Sequence, residues 1–176
     1  EESHVVIIGG GRVGRATARA LAKRGLRYTI VEELPDRIRN EKYYVHGSAA
    51  RIEVLEEAKI REASTVIITT GENDTNIYLT IYCRKLCPDI QIISRANSER
   101  NISTFHRAGA DFVVSYASMG GNIIFNLLKH SDILMVAEGL NIFRIELPGD
   151  LEGRSLVESE IRQRTGCSVI AIQREI

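Results

Sequence analysis

The sequence predicts an α/β fold: a doubly wound parallel sheet of six strands with helices on both faces. Three observations carry that prediction. Short apolar runs alternate with amphipathic stretches six times over brief links, the rhythm of parallel strands joined by right-handed crossovers. The first apolar run stops at a cluster of glycines, and a helical pattern follows at once. The chain also falls into two similar halves, one opened by Val5-Val6-Ile7-Ile8-Gly9 and the other by Val66-Ile67-Ile68-Thr69-Thr70. Helices leaving the carboxyl ends of both strands place a ligand crevice between them.

His4 to Ile8 is a continuous apolar run, the pattern of a strand buried on both faces. From Gly14 to Arg24, Ala16, Ala20 and Leu21 share one face while Arg15, Arg19 and Lys23 share the other, so this is an amphipathic helix ended by Gly25. Tyr28 to Val31 is the second strand. Pro35 suits the first turn of a short helix to about Lys42, followed by a short third strand, Tyr43 to His46. Ile52 to Ala58 is helical, and Thr65 to Thr69 is the fourth strand. Asn73 to Leu86 is a helix stopped before Pro88. Ile90 to Ser94 is strand five, Glu99 to Ala108 a helix and Asp111 to Val114 strand six.

Beyond that the rhythm breaks. Met119 to His130 reads as one more helix; Ile133 to Ala137 and Asn141 to Leu147 are strand-like. Pro148-Gly149-Asp150 is a turn, Val157 to Arg164 a helix and Ser168 to Gln173 a strand. The division expected is a nucleotide-binding domain over 1–116, a crossover helix and connection over 117–138, and the beginning of a small α+β lobe over 139–176.

Bulk composition narrows the function. The 176 residues carry 23 Lys plus Arg against 23 Asp plus Glu, and this balance argues against nucleic acid as a partner. No apolar run approaches the ~20 residues of a membrane span, so a soluble domain is expected. A start at Glu-Glu-Ser, with no Met and no signal-peptide pattern, suggests a piece of a longer protein. Cys83 and Cys87 have the spacing of half a metal site, but no His or acid completes it, and reduced, packed thiols fit better.

Gly9, Gly11 and Gly14 form G-x-G-x-x-G between a strand and a helix. The first glycine allows a tight turn, the second lets a pyrophosphate approach backbone, and the third lets helix and strand pack closely. Arg12 and Val13 lie within the motif, at a helix N-terminus that attracts phosphate. Arg12 reads equally as a phosphate contact and as a solvated helix start. Glu32 ends the second strand eighteen residues past Gly14, where a carboxylate accepts ribose hydroxyls and repels a 2′-phosphate. The chain is therefore expected to be Rossmann-like and to bind NAD or NADH, with ADP, ATP or AMP as alternatives and NADP disfavoured. Glu33, on the other face of the strand end, completes the acidic pair and reads as exposed.

Gly47 and Ser48 follow the third strand, where an adenine edge would lie, though a plain turn accounts for the glycine as well. Thr69 and Thr70 end the fourth strand beside the crevice, with Asn73, Asp74 and Asn76 after them; Asp74 reads either as a ligand contact or as a helix cap. Arg95 points toward the same crevice, for a phosphate or for a structural ion pair. No nucleophile–base constellation is present and the four histidines are scattered, so no enzymatic activity is expected.

These residues resemble a known family. The run Val5 to Gly14, Ile30-Val31-Glu32, His46-Gly47-Ser48-Ala49 and Gly109 to Ser115 are together similar to the RCK, or KTN, domains that regulate potassium conductance in prokaryotic channels and Trk/Ktr uptake systems. Thr70 to Asn76 and Arg95 match in type and order. The resemblance implies a cytoplasmic domain that senses a nucleotide, pairs as a homodimer, assembles into rings of eight and pulls on a membrane pore or transporter. It implies a crossover helix near Gly120 to His130 and a C-terminal lobe from about Ile142. Ser48 departs from the family, which often carries an acid there, and the lobe is short. The alternatives are an NAD-dependent oxidoreductase fragment and the same sensor on a cation/proton antiporter.

Overall fold

The computed structural model describes residues 4–129, 134–137, 140–142 and 145–172. Six parallel strands form one sheet: β1 (His4–Ile8), β2 (Arg27–Glu32), β3 (Tyr44–His46), β4 (Thr65–Ile68), β5 (Gln91–Arg95) and β6 (Phe112–Val114), in the order β3-β2-β1-β4-β5-β6. The expected six-stranded, doubly wound sheet is present. The strand order reverses between β1 and β4, which pair in register from Val5↔Thr65 to Ile8↔Ile68.

The unbroken apolar run of β1 has a simple cause. Val5 and Ile7 pack with Ala18 and Leu21 of α1 (Arg12–Lys23) and with Ile30. Val6 and Ile8 face the other way, into a larger core. That core holds Leu55 of α2 (Ile52–Glu57), Leu79 and Cys83 of α3 (Asn73–Leu86) and Phe105 of α4 (Ile102–Ala108). Burying each such side chain is worth about 1.5–3 kcal/mol, so a polar residue on either face of β1 would be costly.

Most element ends differ from the sequence reading by a residue or two. The helix expected from Pro35 is instead two 3₁₀ turns, Pro35–Arg37 and Glu41–Tyr43. Ile38 and Asn40 are extended between them, and the Asn40 side chain accepts from the Lys42 amide to start the second turn. Glu99–Asn101 is a 3₁₀ lead-in to α4.

After β6 comes α5 (Tyr116–Lys129), three residues earlier than expected at its start. The antiparallel pair β7 (Leu134–Ala137) and β8 (Leu140–Ile142) follows. The chain divides into two compact units, 1–142 and 143–176. In the second, the strand expected to reach Leu147 does not continue through Ile145–Leu147, and the stretch Ser168–Ile172 is not strand; Phe143, Arg144, Gln173 and the ends at His130 and Ile133 lie outside the described residues. The helix expected from Val157 is confined to α6 (Ile161–Thr165), because Glu160 takes a left-handed conformation (φ +48°) that no α-helix accommodates.

Arg84 fastens α3 to the sheet. Its guanidinium donates to the carbonyls of Gly109 (2.9 Å) and Ile90 (2.7 Å) and to Asp111 Oδ2 (2.8 Å), which also accepts from the Ile92 amide (2.6 Å). This accounts for Asp111 in the Gly109-Ala110-Asp111 run as a structural acid.

Candidate nucleotide site

The crevice is built at the carboxyl edge of the sheet, where β1 and β4 part. Gly9 leaves β1 with φ +103°, a left-handed turn, and a Cβ there would lie 3.2 Å from Thr69. The Thr69 hydroxyl donates to the carbonyls of Ile8 and Gly9, both at 3.1 Å, and so seals the end of β4 onto the end of β1. A Cβ on Gly14 would stand 1.9 Å from the Gly9 carbonyl oxygen, so no side chain fits where α1 closes on the loop.

Gly11 is the opposite case: nothing lies within 4 Å of where its Cβ would be. It is the N-cap of α1 and offers no side chain, which leaves the first-turn N–H groups facing open space. Backbone donors, a positive helix end and clearance in front are what a phosphate requires. Arg12, the first residue of α1, is exposed at this mouth, and Val13 is half-buried behind it.

Glu32 ends β2 and is 5% exposed. Its Oε2 accepts from the Gly10 amide at 2.7 Å and its Oε1 from the Leu34 amide at 2.8 Å. The carboxylate thus shapes the glycine loop as well as offering its remaining lone pairs to a ribose. Glu33 is exposed, as expected, and its carbonyl lies 3.1 Å from the His46 ring nitrogen. The Gly47 amide donates to the Glu32 carbonyl at 3.0 Å, which brings the β3 turn against the end of β2; Ser48, half-buried, accepts from the Arg51 amide through its carbonyl.

On the far side, Thr70 donates its hydroxyl to Asn76 Oδ1, and Asn76 Nδ2 donates to the carbonyls of Thr70 (3.2 Å) and Arg95 (3.0 Å). Asn73 accepts from the Asn97 amide at 2.8 Å. Asp74 does not cap α3: the N-cap is Glu72, without a side-chain bond, and Asp74 sits exposed inside the first turn. Among the described residues Arg95 has no ion-pair partner; its guanidinium carbon lies 5.6 Å from the Tyr116 ring centre, and its buried Nε has no hydrogen-bond partner among them.

Gly47, Glu32, Gly9 to Gly14, Thr69, Thr70 and Arg95 therefore line one edge across five neighbouring strands, four spacings of ~4.8 Å or about 19 Å in all. Two members escaped the sequence reading. Arg15 donates to the Gly10 carbonyl at 2.8 Å and so braces the loop from α1. Asn76, which the sequence marks only by its place after Thr70, is fully buried. The signal was there: Asn76, Leu79, Thr80 and Cys83 form the buried stripe of α3, and an amide on such a stripe needs partners. Tyr44 packs where a Gly10 Cβ would lie 3.0 Å from its ring; burial raises its phenol pKa, against the opposing Arg15 cation.

The TrkA-N domain model matches residues 5–116. Probable potassium channel protein 2 of Methanocaldococcus jannaschii is 29% identical over 195 residues, covering 99% of this chain and 57% of its own. A Trk system potassium uptake protein TrkA homolog of Pyrococcus horikoshii is 29% identical over 98% of this chain and 81% of its own. Among solved structures, GsuK bound to ADP is 42% identical with TM-score 0.67, over 74% of this chain and 35% of that one. The GsuK channel bound to NAD is 39% identical with TM-score 0.68, over 97% and 31%. The chain thus spans little more than half of the first relative and about a third of the GsuK chains. With the family model covering well over half of the chain, and the six-stranded order and glycine loop in place, the chain belongs to the TrkA-N family of RCK domains.

Proposed function

We infer that this domain is a ligand-sensing regulatory module. It binds NAD(H) or another adenine nucleotide (ADP, ATP or AMP) in the crevice between β1 and β4, and through that binding it gates a potassium channel or transporter in the membrane. The observation that carries the reading is the open space in front of Gly11, flanked by Glu32 on one side and by the unsatisfied Arg95 Nε on the other. These residues fit a nucleotide. Gly11 and the first turn of α1 would hold a pyrophosphate, Glu32 a ribose, and Gly47 and Ser48 the adenine edge. Thr69, Thr70, Asn73 and Arg95 would line the distal half. The GsuK neighbours carrying ADP and NAD support this class of ligand.

Regulation is favoured over catalysis by the relatives, which are named as a potassium channel protein and a Trk potassium uptake protein. No helix among the described residues is long and apolar enough to cross a membrane. A homodimer is the proposed working unit, octameric rings included. It would form through α5, whose Ile123, Ile124, Phe125 and Leu128 are all more than half exposed. A ligand gates only by its differential affinity for two arrangements, typically ~1–3 kcal/mol. Isothermal titration of ADP, ATP, NAD, NADH and NADPH into the chain tests the reading. Saturable heat from at least one of the unphosphorylated-ribose nucleotides is expected, and no binding of any of them would overturn it.

A further inference from the structure

Arg95 Nε is the one buried side-chain nitrogen or oxygen among the described residues with no hydrogen-bond partner. The guanidinium instead lies over the Tyr116 ring, 5.6 Å from its centre. Tyr116 is the first residue of α5, and Arg95 is the last of β5. Ring and cation therefore join the crevice edge to the start of the helix that leaves the sheet.

The rest of the junction is held firmly. Asn76 ties the Arg95 carbonyl to Thr70, at the crevice. The Ala96 amide donates to the Val114 carbonyl at 3.0 Å, which fixes β5 to β6 just before α5. The Ser118 hydroxyl, in the first turn of α5, donates to Glu99 and lies 3.0 Å from the buried Ser115 hydroxyl. Among these contacts, the Arg95–Tyr116 one differs in kind. It is non-directional, half-solvated and made by a cation whose donors are not spent.

We propose that Arg95 and Tyr116 form the readout of the crevice, in which a bound nucleotide's phosphates draw the Arg95 guanidinium off the Tyr116 ring and thereby release the first turn of α5. A charge-assisted guanidinium–phosphate bond is stronger than a partly solvated cation–π contact, so the ring loses the competition when phosphate arrives. Tyr116 touches no ligand in this scheme and acts as the coupling residue. The ligand class is the pyrophosphate or polyphosphate of an adenine nucleotide, and the inference rests on the function proposed above.

The chain contains no tryptophan, so Tyr116→Trp supplies a single fluorophore at the junction while keeping an aromatic face for the cation. ADP titrated into this variant should shift its emission with the midpoint that calorimetry gives for binding. In an Arg95→Gln background, ADP should bind about tenfold or more weakly and, at saturation, leave the emission unmoved. ¹⁹F NMR of the native chain labelled with 3-fluorotyrosine, its Tyr116 resonance assigned through Tyr116→Phe, gives the same reading without an engineered indole. Calorimetric binding of ADP with neither emission nor resonance changed would overturn the coupling and leave the nucleotide site standing. A full shift at saturation in Arg95→Gln would overturn it too. Absence of any heat would remove both.

Discussion

The Gly10 amide donates to Glu32 Oε2 at 2.7 Å, across 22 residues of chain, and this bond makes the acid at the end of β2 part of the loop that faces the ligand. Two effects of removing it can be separated. Glu32→Gln keeps one acceptor oxygen and the volume, and should narrow the preference for NADH over NADPH by about 1.5–3 kcal/mol as the 2′-phosphate is no longer repelled. Glu32→Ala should lower the melting temperature further, because the buried Gly10 amide and the part-buried Leu34 amide both lose their acceptor, where Gln gives up only one. Paired titrations with the two cofactors check the first effect. Equal affinity of the unsubstituted chain for both would show that Glu32 does not discriminate.

The glycines of the motif should fail in different ways. Gly11→Asp places its side chain in open space and should leave the melting temperature near that of the parent while abolishing nucleotide binding. Gly14→Val meets a carbonyl oxygen 1.9 Å from its Cβ and should destabilise the domain itself, by about 3 kcal/mol or more. Thermal melts run beside calorimetry distinguish the two; nucleotide bound normally by Gly11→Asp would refute the cradle.

Arg84→Met tests the fastening of α3. It retains most of the apolar stem but strands the Asp111 carboxylate and removes donors from three carbonyls. Because Arg84 is about a quarter exposed and Asp111 more so, the loss should be moderate, roughly 2–3 kcal/mol by urea denaturation. Asp111→Asn with Arg84→Met should cost less than the sum of the two single changes.

The Cys83 thiol is fully buried, and desolvation, with a smaller contribution from Cys87, pushes its pKa up from 9.0 to about 12. The folded state therefore favours the neutral thiol. Its contribution to stability is complete below pH 9 and falls away as pH rises from there toward 12, where the unfolded chain gains by ionising. Cys83→Ala should flatten that part of the stability–pH curve. Folded Cys83 should also resist alkylation at pH 8, whereas the exposed Cys167 should react, as mass spectrometry of the labelled peptides would show.

On α5, Ile124 and Leu128 are 61% and 76% exposed and one helical turn apart. If the helix is the dimer contact, Ile124→Asp with Leu128→Asp should yield a monomer that still binds nucleotide. Light scattering reads this directly, and a chain already monomeric at ~100 μM would remove the gating assembly but not the crevice.

The fold was legible because β1 and β4 are short, apolar runs, because α3 is long, and because glycine at three spaced positions has few other uses. Residues Gly9, Gly14 and Glu32 stand where the motif put them, since strand ends and helix starts fix their place. What stayed hidden were partnerships across sequence distance. Nothing local shows that Glu32 accepts from Gly10, that Arg15 reaches the Gly10 carbonyl, or that Asn76 joins Thr70 to Arg95. For Asp74 the sequence leaves a cap and a ligand contact open, and the structure removes the cap, setting the acid inside the first turn beside the positive helix end. The tail misled through turns: a left-handed Glu160 breaks a pattern that periodicity alone would continue.

The reversal of strand order at β1 and β4 has a consequence for the chain as a polymer. The strands before residue 65, β1 to β3, lie to one side of that seam and β4 to β6 to the other, and the β1–β4 ladder with the Thr69 hydroxyl is where the sheet's two wings are sewn together. A molecule reaching from Glu32 to Arg95 spans the seam and acts as a removable stitch. It would slow hydrogen exchange in both wings at once, although each wing supplies only half of the contacts.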